Sequence, residues 1–187
     1  MSKKIKRLMA LFLIVSTVFA LFAMTSCGVT SAVEEFLTSY NYTFSVGKTT
    51  VKVDDSTVYC ANGSVEEYLY YDDSAQKYYY AKVAGSIITK LYLDSEEYMF
   101  YHETLVSKVS DASKILSAFL QVSDKLEEKD DGSYSFNGCV LKEKDGVITC
   151  TAVGDITYTV SNVGETVITV PNNIRTMKAS NEQGGKQ

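Results

Sequence analysis

The chain has 187 residues, with 18 Lys and Arg, 23 Asp and Glu and one His, for a net charge of −5. That acidic balance argues against a basic patch for DNA, RNA or anionic headgroups, and a single histidine excludes a His-rich metal site. Fourteen Tyr, no Trp and one Pro favour strands that are free to pair.

Lys3, Lys4, Lys6 and Arg7 precede the uncharged run Leu8 to Met24, the charged n-region and apolar h-region of a secretory signal. Read as a single-pass anchor, the run stands at the short end, because a span takes roughly 20 apolar residues. It closes on Met24-Thr25-Ser26-Cys27, which resembles the lipobox of bacterial lipoprotein signal peptides. The resemblance implies that residues 1–26 are cut away and that the Cys27 thiol is diacylglycerylated to become the first mature residue. Residues 27–32 then form a lipidated tether. The protein is expected outside the cytoplasm, anchored to the bacterial cell membrane through acylated Cys27, since each buried methylene contributes about 0.8 kcal/mol and two or more chains hold stably. Without residues 1–26 the chain keeps 14 basic and 23 acidic residues, a net charge near −9.

Residues 33–171 suffice for a single domain with its own core. Ala32 to Thr38 reads as a short helix, and in Ser39 to Val46 the alternation of Tyr40, Tyr42, Phe44 and Val46 with polar residues predicts a half-buried strand. Further strands are expected over 49–53, 56–61, 65–71, 76–83, 86–93 and 97–102, separated by turn signals such as Gly47-Lys48 and Asn62-Gly63. Past His102 the period changes: Leu105, Val109, Ala112, Leu116 and Phe119 recur every three to four residues, one apolar face of a helix over 103–128. Ser110-Asp111 could cap a second segment there. Strands over 133–141, 147–153, 156–161 and 166–170 close the domain, Pro171 stops pairing, and residues 172–187 are polar enough for a disordered tail. The pattern is α+β, an antiparallel sheet of about 8–10 strands packed on one long or two short helices.

This order of elements, with the ending Tyr158-Thr-Val-Ser-Asn-Val-Gly-Glu-Thr-Val-Ile-Thr-Val-Pro171, resembles the small lipoproteins of the LolA and LppX type. What the resemblance implies is a curved, half-barrel-like sheet wrapping helices around an apolar cavity, with a lipid or other apolar molecule as its ligand.

Residues for catalysis are scarce. A Ser-His-Asp arrangement would have to use His102, and neither Gly-x-Ser-x-Gly nor His-Glu-x-x-His occurs. Ser45 to Lys48 and Ser74 to Lys77 have Ser-x-x-Lys spacing, but they fall on predicted strands and turns rather than at a helix start. No catalytic residue, metal ligand or cofactor is therefore assigned. Acidic pairs read as solvated turns, with Asp130-Asp131 alone retained for weak cation binding. A loop formed by Lys144-Asp145 would set Cys139 opposite Cys150 as a candidate disulfide. The alternative is that Cys60, Cys139 and Cys150 are small buried hydrophobes.

The aromatic meander is the most informative surface. One register through residues 65–102 gives Tyr68, Tyr70, Tyr78, Tyr80, Tyr98 and Phe100. The other gives Leu69, Tyr71, Tyr79, Tyr92, Met99 and Tyr101, so neither face is polar. A sheet with one buried face alternates apolar with polar residues, so the second face is expected to cover a helix, a ligand or a partner. The alternative is that tyrosines, with their hydroxyls at the edge, stand exposed on a strand. The first-named six are the candidate ligand- or partner-binding residues. Two non-enzymatic readings follow: a carrier lipoprotein holding a lipid or apolar ligand between sheet and helix, or a cell-envelope protein-interaction module using a tyrosine-rich face. A cavity of at least about 300 Å³ beneath the helix separates them.

Overall fold

The computed structural model describes residues 28–123, 126 and 128–182; the signal segment 1–26 and Cys27 lie outside the described residues. The elements in chain order are α1 (Gly28–Thr38), β1 (Asn41–Val46), β2 (Thr49–Asp54), β3 (Thr57–Asn62), β4 (Val65–Asp72), β5 (Lys77–Ala84) and β6 (Ile87–Leu93), followed by α2 (Ser95–Gln121), β7 (Ser133–Phe136), β8 (Cys139–Lys144), β9 (Val147–Ala152), β10 (Ile156–Ser161) and α3 (Asn172–Thr176). All ten strands belong to one open antiparallel sheet, ordered β6-β5-β4-β3-β2-β1-β10-β9-β8-β7. Two meanders are thus joined where β1 pairs with β10, and α2 links one edge strand to the other.

Turn chemistry sets several registers. Asn137 and Gly138 have φ of 48° and 78°, and Asp145 and Gly146 have 53° and 75°, the left-handed pairs that a two-residue hairpin turn requires. The first pair splits the strand expected over 133–141 into β7 and β8. The second pair, rather than Lys144-Asp145, forms the β8–β9 loop, so Leu141 and not Cys139 faces Cys150. Cys60, Cys139 and Cys150 are free thiols, which removes the candidate Cys139–Cys150 pair and agrees with its alternative. Both Cys60 and Cys150 are buried, and burial pushes the Cys150 thiol up to about 11.

The expected strand 97–102 is instead the start of α2. Asp94 accepts a hydrogen bond from the Glu97 amide at 2.8 Å, and the Glu97 carboxylate accepts one from the Asp94 amide at 3.0 Å, a reciprocal cap that satisfies two amides otherwise left open. From there Tyr98, Tyr101, Leu105, Val109, Ala112, Leu116 and Phe119 keep a three-to-four spacing, and the helix runs unbroken past Ser110 to Gln121. Its buried residues Leu105, Val109, Ala112, Leu116 and Phe119 pack in one cluster with Phe44, Val51, Val58, Leu69, Leu93, Leu141, Ile148 and Val160 from the strands, and with Val29, Val33 and Phe36 from α1. None of the five exceeds 6% exposure.

Two termini differ from expectation. Gly28 already lies in α1, with Val29 and Val33 buried, so residues 28–32 are a packed helical turn and not a free tether. Residues 166–170 form no strand, and residues 172–182, expected to be disordered, pack on the sheet. Ile174 and Ala179 are 1% and 0% exposed there. The segment 162–168 is first held by Asn41, whose side chain accepts from the Thr166 amide at 2.6 Å and donates to the Thr166 carbonyl at 2.9 Å. From Val170 to Glu182 the chain then lies as a strap across the face of β3–β6 opposite α2. Among the described residues no helix is long and apolar enough to cross a membrane.

Candidate functional site

The two aromatic registers are divided differently from the sequence reading, because Asp72 pairs with Lys77 across a four-residue loop. Even-numbered residues of β4 therefore stand opposite odd-numbered residues of β5: Tyr70 faces Tyr79, and Tyr71 faces Tyr78. Of the six candidate binding residues, Tyr68 and Tyr70 lie on the strap face, whereas Tyr78, Tyr80 and Tyr98 lie on the α2 face. Phe100 is 66% exposed on α2. The structure thus makes two sites from what looked like one.

The first is an aromatic ledge where β4 and β5 meet the opening turns of α2. The capping box begins the helix early enough to set Tyr98 over Tyr78, with ring centroids 4.4 Å apart, and Tyr101 over Tyr80 at 4.3 Å. Tyr71 meets Tyr78 at a tilt with centroids 4.9 Å apart, and Phe100 meets Tyr101 edge-on at 5.8 Å. The Tyr98 hydroxyl donates to the Ser56 carbonyl at 2.9 Å, and the Tyr80 hydroxyl donates to Glu67. Burial, then the Glu67 carboxylate, push the Tyr80 hydroxyl above the ordinary phenol range. Beside the ledge a pocket of about 430 Å³ is lined by Asp94, Glu96, Glu97, Phe100 and Tyr101. Its lining joins two aromatic rings to three acidic side chains, two of which also cap α2.

His102 stands 6.0 Å from the Tyr98 ring, and burial lowers its pKa. Ser74 donates to Asp72 at 2.6 Å in the β4–β5 loop, while Lys77 pairs with Glu182 at 2.9 Å. Neither that serine nor that lysine is turned toward the other's chemistry. Asp131 accepts from both the amide and hydroxyl of Ser133 and lies 3.7 Å from Lys142. Its carboxylate serves the turn, and among the described residues no group of three or more His, Cys, Asp or Glu could hold a metal ion.

The second site is the tyrosine face under the strap. Tyr68, Tyr70 and Tyr79 are 6%, 1% and 5% exposed beneath Val170, Ile174 and Ala179. Lys90, 3% exposed, donates to the carbonyls of Arg175 and Met177 at 2.9 and 3.0 Å, and desolvation lowers its pKa. Its ammonium is 4.1 Å from the centroid of the Tyr79 ring. At the sheet edge the Asn181 side chain brackets Tyr92, accepting from its amide at 2.8 Å and donating to its carbonyl at 2.7 Å. Sequence reasoning missed Lys90 and the strap altogether. The signal present was a lone lysine inside an apolar strand, together with Val170, Ile174 and Ala179 spaced through a polar tail.

Two further pockets lie at the surface. One, of about 420 Å³, is lined by residues that include Glu35, Asp145 and Glu165 between α1, the β8–β9 turn and the exit of β10. The other, of about 400 Å³, opens beside Lys142, Lys144 and Thr149. None of these three pockets lies between α2 and the sheet. Compared with known families and curated proteins, the chain matches no family model and no curated sequence.

Proposed function

We propose that the protein is an extracytoplasmic lipoprotein, held to the bacterial cell membrane through acylated Cys27, which performs no chemistry and docks another envelope protein on its aromatic ledge. The observation that carries the docking is the ledge itself. Phe100, edge-on to Tyr101, is 66% exposed and its chain neighbour Met99 53%, while Tyr98 and Tyr101 pack against Tyr78 and Tyr80. Aromatic residues and methionine are what interface cores enrich, because they present large area with few rotamers to freeze. The carboxylates of Asp94, Glu96 and Glu97 at its rim favour a partner with basic residues around an apolar anchor. Support for the anchor comes from the Met24 to Cys27 ending, and the burial of Val29 and Val33 in α1 would hold the domain close to a bilayer that carries an acylated Cys27.

A second reading keeps the LolA and LppX resemblance, with a curved half-barrel that carries a lipid. The pocket of about 430 Å³ over Phe100 and Tyr101 favours it, since ligand sites begin near about 300 Å³. Against it stands the close-packed cluster beneath α2.

A photo-crosslinking residue at position 100 of the membrane-bound protein, with one at position 159 as control, tests both readings. A discrete protein adduct at position 100 alone is the expected result. A stoichiometric lipid adduct at position 100 would favour the carrier, and no adduct at all would count against both. Cys27→Ser is expected to move the protein from the membrane fraction to the soluble one, and retention in the membrane would count against the anchor.

A further inference from the structure

The sheet is open, so β6 and β7 are its two edges. An edge strand offers unpaired amides and carbonyls to any strand that arrives, and the hazard grows with its length and apolar content. β7 is short, Ser133–Phe136, and its Ser133 carbonyl already accepts from the Lys129 amide at 2.9 Å. β6 is seven residues long and reads Ile87-Ile88-Thr89-Lys90-Leu91-Tyr92-Leu93, a run of strand formers broken by a single charge.

What lies along β6 is the end of the strap. The Ser180 amide and hydroxyl both donate to the Lys90 carbonyl, at 2.9 and 3.0 Å. The Asn181 side chain accepts from the Tyr92 amide at 2.8 Å and donates to the Tyr92 carbonyl at 2.7 Å. In an antiparallel pair, alternate residues turn their backbone groups away from the partner strand. Lys90 and Tyr92 therefore carry the outward groups of β6, and the carboxamide of Asn181 imitates the peptide unit that a further strand would bring to Tyr92. Burial of the tyrosines does not require these contacts. The apolar cover over Tyr68, Tyr70 and Tyr79 comes from Val170, Ile174 and Ala179, and Ser180 and Asn181 follow the last of them.

We propose that Ser180 and Asn181 are an edge guard, which keeps β6 from pairing with β6 of a second copy of this chain. The second copy is the strand that fits. A two-fold antiparallel register centred on Leu91 sets Lys90 opposite Tyr92 on both sides, uses the outward groups of both residues and keeps the two lysines from facing each other. Tyr92 already receives a cation within its own chain, with the Lys77 ammonium 4.9 Å from its ring centroid. The guarded edge is a different surface from the ledge and does not depend on the lipid anchor.

Residues 28–187 are expected to sediment as a monomer at about 100 μM. A chain ending at Ala179 keeps the apolar anchors and both carbonyls on the Lys90 ammonium, and loses the guard together with the contacts of Glu182. It is expected to dimerise, whereas Glu182→Ala in the intact chain stays monomeric. Because the Tyr92 amide points away from β5, Tyr92→Pro leaves the β5–β6 ladder in place, and in the shortened chain it is expected to restore the monomer. A shortened chain that stays monomeric, a dimer that survives Tyr92→Pro, or a dimer formed by Glu182→Ala would overturn the proposal. The intact chain carrying Ser180→Ala and Asn181→Ala supplies a test that does not rely on the truncation. Its Tyr92 amide is expected to exchange at least about tenfold faster, with β1 unchanged. Unchanged exchange at Tyr92 would overturn the guard whatever the shortened chain does.

Discussion

The sheet face turned away from α2 has two halves that obey the same period but meet different fates. Across β3–β6 it carries Tyr59, Tyr68, Tyr70, Tyr79 and Tyr92, and the strap covers it. Across β1, β2, β10 and β9 the register sets Ser45 beside Thr50 and Thr159, Thr159 beside Thr149, and Thr157 beside Thr151. Those hydroxyls meet each other at 3.3 Å between Ser45 and Thr50 and at 3.2 Å between Thr151 and Thr157. Tyr and Thr are both good strand formers, so propensity does not separate the halves. Area does: a tyrosine ring offers about 150–250 Å² to bury, at about 25 cal/mol per Å² of apolar surface, whereas a threonine offers a methyl group and a hydroxyl that water satisfies. The chain lays its C-terminal segment where the aromatic area is.

The comparison predicts a gradient of mutational effects. Phe44, fully buried in the cluster beneath α2, sets the upper end: Phe44→Ala is expected to cost about 3–5 kcal/mol, read as a lowered denaturation midpoint for the whole domain. Ile174→Ala removes the largest aliphatic anchor of the strap and is expected to cost about 2–4 kcal/mol of strap closure. Its effect should be local, with faster amide exchange in 172–182 and unchanged rates in β1 and β10. If Ile174→Ala instead unfolds the domain as a unit, the two clusters are one core and the covered half is no separate region.

Much of this was legible in the sequence, and the misses have specific causes. Period-two alternation and glycine-bearing turns placed the strands of the first meander, because both signals are local. The strand wrongly expected over 97–102 came from reading Tyr98, Met99, Phe100 and Tyr101 by β-propensity alone. Asp94 and Glu97 already spelled a capping box, and Tyr98 and Tyr101 already matched the three-to-four spacing of Leu105. The division of Tyr68 and Tyr70 from Tyr78 and Tyr80 hung on loop length, where one residue moves a whole strand to the other face. The same sensitivity removed the Cys139–Cys150 pair. The strap was invisible for a different reason: only Val170, Ile174 and Ala179 in it are apolar and buried, and a mostly polar segment declares itself structured only once the surface that receives it is known.

Acidification sharpens the comparison at the strap's far end. Hydrogen bonding from Lys77 lowers the Glu182 pKa below its ordinary 4.5, so the contribution of this pair is complete above that value and is lost as pH falls through the lowered one. On the alkaline side the Lys77 pKa is raised from 10.5, so the same contact persists until pH climbs through that raised value. Amide exchange of residues 180–182 is therefore expected to quicken as pH falls below 4.5 and through the lowered Glu182 value, beyond the intrinsic change, while the bare half keeps its protection. Equal behaviour of both halves across that window would mean that the ion pair does not fasten the strap.

The smallest expected effect is the most discriminating for the bare half. Thr159 stands between Thr149 and Ser45, on a face where no strap lies over it. Thr159→Val keeps the β-branch that suits a strand and exchanges one hydroxyl for a methyl, so it is expected to change stability by less than about 0.5 kcal/mol. The midpoint of chemical denaturation, with an unchanged slope, measures it. A loss above about 1 kcal/mol would mean that the hydroxyl row does structural work equal to a buried hydrogen bond. A clear gain would mean that this half, like the tyrosine half, has apolar cover waiting for it. Only a result near zero leaves the contrast as drawn: one half of the face built to be covered, the other built to stay wet.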